Sequence, residues 1–339
     1  MSLPPPEIPL GAIRFNSDSQ KLEYWIGDAW MQIKTFSPTL DGGARGLFTS
    51  GYNHPDYQNR VDMITIPTAG DATDFADMIS GKATYGSAGG ASNTRGIISG
   101  GSIPGNGSID VMQYITIAQR GDFVNFGDLT KGRRGCCAMT NQTRYVVAGG
   151  YNDSDASQVN NMDFVTIAST GNAKDFGDTS QNVNNMGGTQ SPTRGVFSNG
   201  GTPSGTNTME FITIASTGNS QDFGDSSRTS AEAFGCGNST RGIFFHGVFP
   251  SPEVKQNVID FITIASAGNA IDFGDNTYLV QHGMAVSDST RAVCAGGVTV
   301  NNMSYINITS QGDAVDFGDL TVARWSGNGG ISNAHGGLG

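Results

Sequence analysis

Six times along this 339-residue chain a phenylalanine is followed two residues later by an aspartate, in the phrases DFADM, NFGDL, DFGDT, DFGDS, DFGDN and DFGDL. The phenylalanines are Phe75, Phe126, Phe176, Phe223, Phe273 and Phe317; the aspartates are Asp77, Asp128, Asp178, Asp225, Asp275 and Asp319. Ten residues before each phenylalanine stands the centre of an apolar triplet of the ITI type, at Thr65, Thr116, Thr166, Thr213, Thr263 and Asn307. Five residues after that centre comes a glycine (Gly70, Gly121, Gly171, Gly218, Gly268, Gly312), followed every time by Asp or Asn. Self-similarity at a fixed period makes each repeat one supersecondary unit that buries its apolar face only by packing on its neighbours. It also disposes of a kinase reading of Asp175-Phe176-Gly177. A metal-binding turn is needed once, and the chain lacks a VAIK-type strand and an HRD loop.

Two apolar strands around a Gly-Asp or Gly-Asn pair read as a hairpin, the glycine supplying the positive φ such turns demand. A second hairpin keeps step. Arg45, Arg95, Arg144, Arg194, Arg241 and Arg291 each open an apolar strand; turn formers such as SNT, NQT and DST precede it, and paired glycines often close it. Each unit is therefore four strands: a small-residue strand, an arginine strand, the ITI strand and the DFGD strand. A period of about 50 residues favours a propeller blade over an α-solenoid repeat. The first unit has no small-residue strand of its own, and RWSGNGGISNAHGG (324–337) supplies one at the far end. The fold class expected is all-β, a six-bladed propeller over residues 37–339 with its first blade completed by 325–337. Such closure leaves no open sheet edge.

RRGCCAMTNQTRYVVAGG (133–150) and MDFVTIASTGNAKDFGD (162–178) resemble the first and second halves of a kelch repeat, with Phe176 where that family usually carries tryptophan. Several roles follow for the repeated residues. The phenylalanines should pack between neighbouring sheets, the aspartates should cap turns by accepting from backbone amides, and the arginines should donate to backbone carbonyls of the next blade.

Binding chemistry has to come from what varies. From each arginine to its triplet centre the separations are 20, 21, 22, 19, 22 and 16 residues, so one loop per unit changes length on a constant scaffold. That layout is expected of a binding face. Tyr52, Tyr57, Tyr151 and Phe249 are the candidate aromatics in the loops 52–59, 151–161 and 248–257; plain solvated loops are the alternative.

Other chemistries lack residues. His54, His246, His282 and His335 form no short-spaced metal pair, no GxSxG elbow occurs, and neither an enzymatic activity nor a cofactor or metal is expected. A net charge of −11 argues against nucleic acid, whose binding needs a basic stripe. Cys136, Cys137, Cys236 and Cys294 fit neither a zinc ribbon nor a disulfide framework and read as small core residues. The start MSLPPPEIPL has no signal-peptide pattern, and no run of about 20 apolar residues spans a bilayer, so membrane insertion is not expected.

Ahead of the repeats, GAIRFNSDSQKLEYWIGDAWMQI (11–33) alternates apolar and polar residues through three short strands. Residues 1–36 are read as an extended arm and a β-meander, too small to be stable unless its apolar face is covered. Ile13, Phe15, Leu22, Tyr24, Trp25 and Trp30 are its candidate anchoring residues. Gly11, Ile13, Arg14, Phe15, Asn16, Leu22, Glu23 and Trp30 resemble a short module of tail-fibre and other structural proteins of tailed bacteriophages. The resemblance implies a virion component, in tail fibre, tail adaptor or capsid decoration. It would be present in multiple copies, docked to other virion proteins through residues 1–36 and facing a host receptor or glycan. A meander that packs as a lid on its own propeller is the alternative.

Overall fold

The structure is a computed structural model that describes residues 8–16, 21–32, 44–49, 51–53, 56–79, 84–103, 105–201, 205–250, 252–297, 300–325 and 329–338. The chain divides into two compact units, Met1–Gly42 and Gly43–Gly339. The boundary expected after residue 36 and most of the Pro-rich arm lie outside the described residues, as does His54. The protein is all-β: among the described residues, antiparallel strands are joined by turns, and one short 3-10 turn covers Gly336–Leu338.

In the smaller unit, Ile13–Asn16, Lys21–Trp25 and Trp30–Gln32 pair in sequence order. Ile13 stands opposite Tyr24, Phe15 opposite Leu22, and Tyr24 opposite Met31, so period-two alternation puts these side chains on one face. Trp25 pairs with Trp30 on the other face, where Arg14 lies 4.1 Å from the Trp30 ring and 2.8 Å from the Glu23 carboxylate. The six anchoring candidates thus divide between two faces, with Met31 completing the apolar one.

The larger unit holds six principal sheets among its described residues, each with its strands in the same four-part order. The second sheet is typical: Ala88–Ala91, Arg95–Ser99, Val111–Thr116 and Val124–Asp128 pair successively. In the first sheet the small-residue strand is Gly330–Ser332, from the far end of the chain. It pairs with Arg45–Phe48 through Gly330–Phe48, Ile331–Leu47 and Ser332–Gly46. Second strands read as unbroken apolar runs because both their faces are covered; after Arg144, every residue to Ala148 is buried.

Consecutive sheets share their cores. Phe126 packs with Val165 and Ile167 of the next sheet, Phe223 with Ile262 and Ile264, and Phe317 of the sixth with Ile64 and Ile66 of the first. All six repeat phenylalanines are buried, Phe75 being the most exposed at 5%. Burying each such ring stabilises the fold by about 1.5–3 kcal/mol. Ring faces continue the stack in five sheets. Phe176 meets Phe164 edge-on at 5.9 Å, and Arg144 lies over Phe164 at 4.5 Å, with counterparts at Arg95, Arg194, Arg241 and Arg291.

Every repeat arginine reaches the following sheet. Arg45 donates to the carbonyl of Ile117, Arg95 to Ile167, Arg144 to Ile214, Arg194 to Ile264 and Arg241 to Ile308 at 2.8–3.0 Å. Arg291, in the sixth sheet, donates to Pro67 of the first at 2.8 Å. The sequence of contacts thus returns to its start. The aspartates behave differently from the sequence expectation. The amides of Asp77, Asp128, Asp178, Asp225, Asp275 and Asp319 donate at 3.0–3.1 Å to the side chains of Asp122, Asn172, Asn219, Asn269, Asp313 and Asp71. The acceptor is the residue after each turn glycine in the neighbouring sheet. The missing information was the identity of the neighbour, which only packing supplies.

Candidate ligand-binding site

The six small-residue strands face one narrow cavity lined by Gly89, Ala138, Gly188, Gly235, Ala285 and Gly330, one residue from each sheet. Small side chains are required because six strands converge there. At the strands' C-terminal ends the cavity is capped by the chain terminus. His335 Nδ1 lies 2.9 Å from Gln190 Nε2, and Nε2 lies 2.8 Å from the Ala91 carbonyl and 3.2 Å from Thr140 Oγ1. Burial pushes the His335 imidazole down to about 4, so the cap is neutral near pH 7. The four cysteines are free and buried, and burial pushes Cys136 up to about 11 and Cys294 to about 12, which keeps them as thiols.

The other end, where the links from the preceding sheets enter the small-residue strands, is richer. Among the described residues, five of the six links run beside their own sheet's variable loop: Tyr85 bridges Ser102, Arg134 bridges Tyr151, Asn184 bridges Gly201, Ala231 bridges Val248 and Trp325 bridges Tyr52. Three of the variable loops pair within themselves. Tyr52–Asn53 with Asp56–Tyr57, Ser102–Ile103 with Gly107–Ser108, and Tyr151–Asn152 with Ser157–Gln158 form small hairpins of their own. Two residues before the small-residue strand the backbone turns left-handed, at Gly86 (φ +68°), Gly135 (+66°), Asn185 (+55°), Glu232 (+62°) and His282 (+55°). Three of these are not glycine. Such residues cost about 1–3 kcal/mol each and gather at functional sites.

The side chains of Glu232 and His282 begin an arc that continues through Trp325, Tyr85 and Arg134 across five sheets. Glu232 Oε1 lies 2.9 Å from His282 Nε2, while its Oε2 is buried with no hydrogen-bond partner. The His282 ring lies 4.7 Å from Trp325, and Trp325 lies 5.2 Å from Tyr85. Arg134 sits 5.8 Å from the Tyr85 ring and 4.8 Å from Tyr151, and it pairs with Asp153 at 3.2 Å. Tyr52 and Tyr57, 5.0 Å apart, close onto Trp325 and Tyr85 from the loop of the first sheet. All these side chains are half-buried. Burial and the neighbouring Tyr85 and Tyr52 hydroxyls push the Tyr57 phenol up, so it stays neutral. Burial works against the Arg134 charge, but the bond to Asp153 together with the nearby Asp153, Tyr85 and Tyr151 groups offsets it and holds the guanidinium above its ordinary value.

Of the sequence candidates, Tyr52 and Tyr57 lie within the cluster and Tyr151 borders it through Arg134. Phe249 does not join; it pairs with Val254 at an exposed strand, 41% accessible. The repeat arginines and phenylalanines stay in the scaffold between sheets. Sequence reasoning missed Tyr85, Arg134, Glu232, His282 and Trp325 because they fall in links outside the periodic strands. A signal existed: three residues other than glycine stand where Gly86 and Gly135 mark a left-handed position. Among the described residues no group of three or more His, Cys, Asp or Glu side chains could hold a metal ion. In comparisons with known proteins, neither a protein-family model nor a curated sequence matches this chain.

Proposed function

We propose that residues 43–339 form a six-bladed kelch-like β-propeller and that the protein is a structural component of a tailed-bacteriophage particle. In this reading it is a non-enzymatic display platform whose N-terminal sheet docks onto another virion protein. The propeller reading is supported by the contact order of the six sheets, which runs from each to the next and from the sixth back to the first through Arg291 and Pro67.

The observation that carries the docking role is the apolar face of the N-terminal sheet. Ile13 is 66% exposed, Phe15 63%, Leu22 41%, Tyr24 37% and Met31 46%. A three-stranded sheet of this size needs a partner for such a face. Its sequence is also the part that resembles the phage tail-fibre module. Deleting residues 1–42 is expected to abolish incorporation into particles while the remainder stays folded and monodisperse. Particles that take up the truncated chain normally would refute the docking role.

A second reading, an adhesin that contacts a host glycan or receptor through the loop face, is favoured by the half-buried aromatic arc. It is compatible with the first.

A further inference from the structure

We infer that the arc formed by Glu232, His282, Trp325 and Tyr85, with Tyr52 and Tyr57 beside it, is a binding subsite for an uncharged carbohydrate. The inference rests on the reading of the loop face as a binding surface, and it is independent of docking into a particle.

Three observations select the ligand. Trp325, Tyr85, Tyr52 and Tyr57 form a contiguous set of rings with centroids 5.0–6.4 Å apart, partly open to solvent. Flat apolar rings with polar tips suit a ligand that is apolar on its faces and polar at its edges, as a pyranose is. At one end of the rings, the Glu232 carboxylate and the His282 imidazole each keep 16% of their side-chain surface open to solvent. They offer polar edges to a sugar hydroxyl beside the apolar rings. His282 Nε2, 2.9 Å from Oε1, holds the carboxylate beside the rings.

Other ligand classes fit less well. An acidic glycan would meet Glu232 in a protein of net charge −11, and the arginine of the arc, Arg134, is already paired with Asp153. An extended peptide adding itself as a strand needs an open edge. Tyr52 has none, since it pairs with Tyr57 on one side and Trp325 on the other. The Glu232 and His282 backbones, held left-handed, fix both side chains before any ligand arrives, which lowers the ordering cost of binding.

The test uses the full chain and defined hexasaccharides of uncharged sugars: maltohexaose, cellohexaose, galactohexaose, mannohexaose and chitohexaose, with hexagalacturonate as the acidic comparison. Saturation-transfer NMR reports contact between aromatic protons and sugar C–H groups, and titration gives the affinity. At least one neutral hexasaccharide is expected to bind. Trp325→Ala and Tyr85→Ala are each expected to weaken it about tenfold, equivalent to about 1.4 kcal/mol. Glu232→Gln keeps the side-chain shape and is expected to weaken binding about fivefold at an unchanged melting temperature. Binding that all three variants leave unaltered, binding of hexagalacturonate alone, or no transfer to any sugar would each overturn the inference. A chain that assembles into particles yet binds none of the sugars sinks this inference alone; sugar binding without particle assembly sinks only the virion reading.

Discussion

His335 stands eighteen residues after Phe317, where the other units carry arginine, yet it does not act as a repeat arginine. It turns inward to cap the cavity, contacting Ala91, Thr140 and Gln190 of three successive sheets. Its imidazole falls from an ordinary 6.5 to about 4 through burial. The folded protein therefore resists a proton that the unfolded chain accepts. The contribution is intact above pH 6.5 and is lost as the pH falls toward 4, a difference of about 3 kcal/mol. The melting temperature is expected to fall across that window, and His335→Asn is expected to show a flatter profile from pH 7 to 4. Parallel profiles in scanning calorimetry would contradict this. At this scale the repeat residues were legible, since Phe126 or Arg144 recurs with its whole environment. Glu232 and His282 were not, because each occurs once and gains meaning only from the other.

Between elements, the tightest fit is at the DFGD glycines. A Cβ at Gly177, Gly224, Gly274 or Gly318 would lie no more than 2.6 Å from the backbone of the neighbouring sheet's turn glycine. The same approach lets the Gly218 amide donate to the Phe176 carbonyl at 2.7 Å. The first sheet provides a natural comparison, with Ala76 at this position. There the Asp77 carbonyl still accepts from Phe123 at 2.9 Å, but among the described residues no bond joins Gly121 to Phe75. Gly177→Ala is expected to cost about 2–3 kcal/mol, whereas Ala76→Gly should change stability by no more than about 1 kcal/mol. Urea unfolding curves measure both; equal effects would remove the steric explanation. The sequence pattern assigned the special glycine to the hairpin turn. Gly70, Gly121, Gly171 and Gly218 do carry the positive φ that reading assigned them (+153° to +157°), although a Cβ there would meet nothing within 4 Å. The recurring Gly-Asp pair marks a junction between sheets as much as a turn.

For the larger unit as a whole, closure is the organising fact, and it rests on a short segment. Gly330–Ser332 completes the first sheet, the Thr49 amide and hydroxyl donate to Gly329 at 3.1 and 2.8 Å, and Ile331 joins the core shared by the first two sheets. Removing residues 330–339 exposes the edge of Arg45–Phe48 and uncaps the cavity. The truncated chain is expected to lose the single cooperative transition and to associate through the freed edge. Calorimetry with light scattering tests this, and an unchanged, monodisperse transition would show that closure contributes little.

The sequence alone determined the strands, their order, the number of repeats and the pairing of the chain's two ends. Those properties follow from alternation and turn chemistry, which act over a few residues and recur six times. It also carried the N-terminal strands, although the pairing of Trp25 with Trp30 put both on the face away from Ile13 and Phe15. Only the tertiary structure decided what meets between sheets: the capping of Asp178 by Asn219, the interior place of His335, and the arc from Glu232 to Arg134. Contacts among residues as far apart as Tyr52 and Trp325 depend on the twist and approach of whole sheets, and no local periodicity encodes that.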